Sequence, residues 1–385
     1  MAVIRAATGA SLGNTLAANL PVDMLNKLFL YDADVNPLLA FQEDLKKVRT
    51  AKQAKFNHLY SDQIALYTQV NNGAGYSDAA TSIVVDDGTV FNSANDIAYC
   101  PRTGEHFLVT AVSTNTLTVT RAFGSTAAAA LVDNDYLVNL GSSFAEGAGA
   151  PAPLMLLETE DYNYTQIFKQ AVAISGTAHA SEFYVGPEYK KRIAQAQRDL
   201  KRRMEYSALF GERYGTSLTS DQPQRTSRGL NATITTNRYS IGGTMTQDYF
   251  VQSVLPTAMR YGSSRKVIYC GNAMLKCFTD WGLDRLQTFV SDSMLGFKAA
   301  EYKSPWGDLL IVRHKMLEGP FDGYAFIVDP ENCYRVELKG RGLKFEDDIQ
   351  ATDTDGKKGQ FIAEIGWEFP LEKSHGVLTG ITGPG

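Results

Sequence analysis

Apolar positions along the chain change period several times, and each change marks a part. Residues 1–19 are small and polar with little periodicity, the pattern of an extended arm. Residues 21–30 and 37–49 then carry helical signals. Asn36 followed by Pro37 reads as an N-cap with proline at the first helical position. Leu38, Leu39, Phe41, Leu45 and Val48 supply an apolar face, and Lys46, Lys47 and Arg49 crowd the last turn, where cations suit the helix dipole. From 56 to 70 the pattern turns strand-like, and Asn71-Asn72-Gly73-Ala74-Gly75 breaks it.

Residues 71–150 differ in kind: rich in Thr, Val, Asp, Gly and Ala, and poor in Lys and Arg. Short strands are predicted over 82–85, 96–100, 106–112, 116–121 and 135–140. Ser113-Thr114-Asn115 is read as a hairpin connection, and Asp86-Asp87-Gly88 and Asp133-Asn134-Asp135 as turns. The stretch closes on the Gly/Ala/Pro linker 146–153. This is the pattern of a small all-β module inserted between two flanking strand segments.

Strands resume over 154–175 and the strongest helix of the chain follows, over 186–214. Pro187 suits its first turn and Glu188 the positive end of its dipole. Tyr189, Ile193, Ala196, Leu200, Met204 and Ala208 fall on one stripe. Lys190, Lys191, Arg192, Arg198, Lys201, Arg202 and Arg203 occupy the other faces. At ~1.5 Å per residue this helix is about 40 Å long, enough to act as a strut. Beyond it come a polar loop (216–228), a helix over 246–261 kinked at Pro256, a strand over 266–270, a helix over 272–281, and strands over 298–302, 309–314 and 324–328. Strands over 334–338, 343–345 and 361–369 close the chain, with Phe361, Ala363, Ile365 and Trp367 on one face of the last and Glu364 and Glu368 on the other.

Composition narrows the function classes. Of 385 residues, 37 are basic and 42 acidic, a net charge of −5, so the chain lacks the basic excess of a protein devoted to gripping nucleic acid. The four cysteines, Cys100, Cys270, Cys277 and Cys333, form no CxxC pair, and the five histidines are scattered. They read as buried thiols in a reducing compartment, with no metal site. No signal peptide is expected at the N-terminus, and no apolar run approaches the ~18 residues of a membrane span. The sequons Asn163-Tyr164-Thr165 and Asn231-Ala232-Thr233 carry no meaning without secretion.

Candidate chemistry is weak. Gly9-Ala10-Ser11-Leu12-Gly13 matches a nucleophile elbow but has no room for the strand that must precede it. Ser263-Ser264-Arg265-Lys266 contains SxxK, yet its lysine enters a strand. Asp353-Thr354-Asp355-Gly356 hints at a calcium loop, but Ala351 and Ile362 stand where an acid and a Glu are needed, so a hairpin turn is expected. Glu158, Glu160 and Asp161 read as a solvated edge. No GxxxxGK or GxGxxG phosphate cradle is present. The basic helix admits a nucleic-acid contact or a solvated, subunit-contacting face, and the interleaved Glu188, Asp199 and Glu205 favour the second. No catalytic residue and no cofactor are expected.

The order of these parts resembles the Hong Kong 97-type capsid fold of tailed-bacteriophage major capsid proteins. The arm, the two-stranded excursion and the long helix opening Gly186-Pro187-Glu188-Tyr189-Lys190 carry the likeness. So does the stretch Arg102-Thr103-Gly104-Glu105-His106 through Ala122-Phe123-Gly124-Ser125-Thr126, which is similar to a β-module in one branch of phage major head proteins. The resemblance implies an α+β fold with an N-terminal arm and helices (1–54), E-loop strands (55–70 and 151–185), an inserted β domain (71–150), a spine helix (186–225), an axial domain (226–330) and a peripheral-domain sheet (331–385). It implies a structural, non-enzymatic subunit of the virion. Such subunits assemble as hexamers and pentamers, in the host bacterial cytoplasm, into an icosahedral head around double-stranded DNA. Its partners would be itself, portal and scaffold or decoration proteins, and packaged DNA by weak contact, with no membrane. The arm begins almost at once, so no built-in scaffold is expected, and no crosslinking residues are matched. Subunit-interface candidates are Tyr162, Tyr164, Phe168, Lys190, Lys191, Arg198 and Arg202. Ile193, Leu200 and Met204 are the expected spine-helix core. The alternative reading is a carbohydrate- or receptor-binding protein acting through the β module.

Overall fold

Pro37 sits at the first position of helix α1 (Pro37–Asp44), where its missing N–H costs nothing. The helix expected over 37–49 stops early. Lys46 takes a left-handed conformation (φ 54°), Lys47 N donates to Gln42 O (2.9 Å) and Lys46 N to Glu43 O (3.2 Å), a Schellman closure made without glycine. Val48 and Arg49, expected to be helical, instead open strand β1 (Val48–Ala51), followed by β2 (Lys55–Tyr60). The computed structural model describes residues 36–61, 65–91, 95–149, 158–181, 187–215, 222–285 and 299–385. The arm over 1–19, with its GxSxG stretch, the helix expected over 21–30, and Gly186 lie outside these. Two compact units result. One joins the described residues up to His58 with Asp161–Gly385, and the other is Leu59–Glu160.

The second unit is built from β3 (Tyr67–Gln69), β4 (Ser82–Val84), β5 (Asp96–Cys100), β6 (Glu105–Ser113), β7 (Thr116–Thr120) and β8 (Tyr136–Ser142), in the order β3-β8-β5-β6-β7-β4. Antiparallel bridging of Val70 to Val85 brings the two edges together, so the sheet curls closed and leaves little unpaired edge. Alternation points Ile83, Ala98, Cys100, Phe107, Val109, Leu117, Val119 and Leu137 into one core. Thr114 (φ 53°) turns the β6–β7 hairpin, and a Cβ on Gly88 would lie 1.9 Å from Thr114 O, so only glycine fits beneath that turn. The unit's two basic residues are both consumed internally. Arg121 makes a two-pronged pair with buried Glu105 (2.8 Å each), and Arg102 pairs with Asp135. Burial works to raise the Glu105 pKa, but Arg121 and the Ala129 and Ala122 N–H groups outweigh it and hold it below the usual range.

In the first unit the chain continues through β9 (Thr159–Tyr164), β10 (Gln166–Ser175), α2 (Gly176–Ala180) and the long helix α3 (Glu188–Phe210). Next come β11 (Tyr214–Gly215), β12 (Arg225–Thr226), α4 (Leu230–Thr233), β13 (Arg238–Met245), α5 (Gln247–Tyr249) and α6 (Leu255–Ala258). A π-helical turn, Phe250–Val254, joins α5 to α6 just before Pro256, so the expected kink takes the form of a widened turn. The chain ends with β14 (Arg265–Cys270), α7 (Asn272–Arg285), β15 (Ala299–Ser304), β16 (Gly307–Arg313), β17 (Ala325–Val328), β18 (Tyr334–Leu338), β19 (Lys344–Glu346), β20 (Gly356–Glu368) and β21 (Gly376–Pro384).

Two sheets organise this unit. In the first, β1 pairs parallel to β18, and β18, β19 and β10 all pair antiparallel to β20. Strand β10, expected as part of the excursion, pairs with β20 along its whole length, from Gln166 opposite Ile365 to Ser175 opposite Gly356. The second sheet runs β13-β21-β17-β14-β16-β15. The closing sheet expected over 331–385 therefore divides: β18–β20 stay together, while β21 leaves to pair with β13 and β17.

Candidate functional site

Helix α3 lies on the β10–β20 face of the first sheet. Tyr189, Ala196, Leu200, Met204 and Ala208 are buried there with Phe361, Ala363, Ile365 and Trp367, and Ile193 packs half-buried against the same cluster. Register places Phe168 opposite Ala363, on the helix side. Phe168 is only 8% exposed, so the structure puts it in this core, against its expected place on a subunit-contacting surface. The Tyr189 hydroxyl donates to Asp347 Oδ1, and burial and that carboxylate raise its pKa.

The opposite ridge of α3 is basic. Lys190 and Arg202 are exposed, and Lys191 and Arg198 half-buried. Lys191 lies 3.7 Å from Glu188 and Arg202 4.0 Å from Asp199, surface pairs worth about 0–1 kcal/mol. Two other arginines turn toward β10 instead: Arg192 Nη1 donates to Ala173 O (3.4 Å) and Arg203 Nη1 to Gln170 Oε1 (2.9 Å).

Tyr162 and Tyr164 are half-buried on β9 and meet edge-on, with ring centroids 5.6 Å apart. Cations cover Tyr162, with Lys55 Nζ 4.2 Å and the Arg213 guanidinium 4.1 Å from its centroid. Arg213 also donates to Tyr162 O (2.7 Å) and Asp161 Oδ1 (3.1 Å), and Arg228 pairs with Asp161 Oδ2. Asp161 is thus an anchor between two arginines, while Glu158 and Glu160 are exposed. Burial opposes ionisation of Asp161, but Arg228 overrides it and holds the pKa below the usual range. Between the two tyrosines, Asn163 is buried. Its Nδ2 donates to Trp367 O (2.7 Å) and Arg228 O (3.0 Å), and its Oδ1 accepts from Arg228 N (2.9 Å).

The far face of β20 carries the two carboxylates its alternation predicts, both 3% exposed. Glu364 accepts from Thr165 Oγ1 (3.0 Å), Arg225 Nη2 (2.9 Å) and Arg341 Nε (2.6 Å). Glu368 pairs with Arg49, with His58 Nδ1 at 3.7 Å. Burial lowers the His58 pKa, opposed by Glu368. Between them Gly366 admits the Phe56 ring, because a Cβ there would lie 2.7 Å from Phe56 Cε1. Such buried pairs contribute little net stability but make wrong registers costly.

Two buried polar clusters escaped sequence reasoning. Glu205, fully buried on α3, accepts from Leu38 N (2.8 Å), Leu39 N (3.0 Å) and His314 Nε2 (3.0 Å). In the second, Lys266 Nζ donates to Ala258 O (2.7 Å), Tyr261 O (2.7 Å) and Ser374 O. Burial brings its pKa down to about 8. Asp329 accepts from Ser263 N (3.0 Å) and Ser263 Oγ (2.7 Å), and its own N–H donates to His375 Nδ1 (3.1 Å). Burial, then the charge of Lys266, pushes His375 down to about 4. The SxxK serine and lysine are therefore committed to separate structural partners. Among the described residues no group of three or more His, Cys, Asp or Glu could hold a metal ion, and the four cysteines are buried and free. No helix among them is long and apolar enough to cross a membrane.

These fastenings suit a structural part. The sequence profile described as SU10 major capsid protein matches residues 7–382. The chain is 25% identical over 345 residues to the major capsid protein of Pseudomonas phage PaMx41, covering 79% of this chain and 81% of that one. Its fold is similar to a chain of the Cyanophage A-1(L) capsid asymmetric unit, with a TM-score of 0.51 and 11% identity over 96% of this chain and 99% of the other.

Proposed function

The chain belongs to the SU10 major capsid protein family, and from that membership we propose how it builds a phage head. It is a phage major capsid protein of the Hong Kong 97-type fold, a structural subunit of the virion shell. The observation that carries this reading is the profile match over 7–382, which takes in nearly the whole chain. In the proposed assembly the subunits form hexamers and pentamers that close an icosahedral head around double-stranded DNA. One sequence then meets its neighbours in two symmetry environments. Portal and scaffold or decoration proteins complete the set of partners, and assembly takes place in the host bacterial cytoplasm. The subunit performs no catalysis in this reading. Its buried charge pairs serve to hold one register of the β10–β20 sheet while neighbours pull on its edges. Sedimentation velocity on the full-length protein, with and without other virion proteins, tests this. Capsomers or shells are expected, and monomer alone at high concentration would contradict it.

A further inference from the structure

The second unit turns an apolar sheet face outward, and we propose that this face docks on the first unit of a second copy of the chain. The inference rests on the reading of the chain as a shell subunit and names one contact between its copies. An antiparallel sheet with one wet face has apolar residues inward and polar ones outward. Strand β7 obeys this rule: Leu117 and Val119 enter the core, while Thr116, Thr118 and Thr120 point out. Strands β8, β5 and β6 do not. Leu137, Ala98, Cys100, Phe107 and Val109 take their core positions. The alternate positions are apolar again: Tyr136, Val138 and Leu140 on β8, Ile97 and Tyr99 on β5, and Leu108 on β6.

Register makes these side chains one surface. Tyr99 lies opposite Val138, Ile97 opposite Leu108, and the bulge at Leu140–Gly141 faces Ile97. The Tyr136 ring meets that of Tyr67 edge-on, with centroids 5.8 Å apart. Tyr136 is 50% and Leu140 55% exposed. No Asp, Glu, Lys or Arg stands at any of these outward positions. Keeping such a face in water is unfavourable, and a covering partner removes that cost.

Charge selects the partner. Residues 59–160 hold eleven acidic and two basic side chains, a net charge of −9, and the two arginines are already paired with Glu105 and Asp135. The rest of the chain holds 35 basic and 31 acidic side chains, a net charge of +4. Two second units therefore repel each other, and DNA repels either of them, while the first unit of a neighbouring copy attracts it. Such a contact joins two different surfaces, so it is heterologous, the kind that closes rings.

The test places the photo-crosslinking residue p-benzoylphenylalanine at position 140 of the full-length protein, which is then assembled with isotope-labelled wild-type copies. Mass spectrometry should find links from position 140 into residues 1–58 or 161–385 of another copy. The same probe at position 118, on the polar part of the face, should give few. Links to residues 59–160 of another copy, to the probe's own chain or to a different virion protein would overturn the proposal. The double variant Tyr136→Ser, Leu140→Ser should keep the wild-type melting transition and raise the concentration at which copies associate by about tenfold or more. Unchanged association overturns the proposal as well. Capsomers or shells that form with links elsewhere defeat this proposal alone, whereas monomers throughout defeat the shell reading with it.

Discussion

Glu205 caps the helix that begins at Pro37 from 167 positions away, its Oε1 accepting from the Leu38 N–H at 2.8 Å. The same carboxylate takes the Leu39 N–H on Oε2 and His314 Nε2 on Oε1. The first N–H groups of a helix have no partner within it, and here a charged acceptor on the spine helix supplies one. The root of the N-terminal region, the strut α3 and the end of β16 are thereby tied at one buried point.

Removing that point should be costly. Glu205→Ala leaves two amide N–H groups and an imidazole buried without acceptors, and is expected to lower unfolding free energy by about 3–5 kcal/mol. Glu205→Gln, which keeps an acceptor oxygen, should lose less. Chemical denaturation of the two variants checks the ranking.

The two sides of α3 should answer oppositely to substitution. Leu200 is 1% exposed in the core, so Leu200→Ala is expected to cost about 2–5 kcal/mol through lost burial and a residual cavity. Arg202→Glu on the outer ridge should cost well under about 1 kcal/mol of fold stability. Thermal melts compare them, and a folded Leu200→Ala beside an unfolded Arg202→Glu would mean the faces are reversed.

Parts of this organisation were legible in the sequence because a single element carried the signal. The stripe from Tyr189 to Ala208 and the alternation from Phe361 to Glu368 each declare a face locally, and both appear in the core as expected. What was missed depends on distant partners. Val48 and Arg49 continue the apolar and basic pattern of α1, yet they pair with Arg335 and Val336, and a left-handed Lys46 ends the helix first. Strand β21 is broken by Gly380 and Gly383 and shows little alternation, so its place beside β13 and β17 comes from tertiary pairing alone. Glu205 read as one more acid among bases, because its ligands Leu38 and His314 are remote in sequence. Phe168 sits on a strand whose partner fixes which side it faces, and that partner is β20.

Acid should destabilise the first unit through His375. Its pKa falls from 6.5 unfolded to about 4 folded, so between these values the unfolded state binds more protons. Stability is full above about pH 6.5 and is lost as pH falls toward 4, by up to roughly 3 kcal/mol. Burial works to raise the Asp329 pKa, but Ser263 holds it below the usual 3.8, so Asp329 adds loss in the same direction only at lower pH, below about 3.8. Denaturation midpoints from pH 7 to 4 should show the decline, and His375→Gln should flatten it.

The second unit should be removable. Its core of Val70, Ile83, Phe107, Leu117 and Leu137 is its own, and replacing residues 65–149 with a short Gly/Ser linker leaves the α3–β20 core residues untouched. The shortened protein is expected to retain a cooperative unfolding transition by circular dichroism. A non-cooperative melt would show that the first unit needs the second.

The central claim, that this chain builds a closed shell, is tested most directly by electron microscopy of the full-length protein expressed with its neighbouring virion proteins. Round particles of uniform diameter, with sixfold and fivefold capsomers resolved on averaging, are the predicted result. Dispersed monomers, or open sheets and tubes with no fivefold positions, would contradict it.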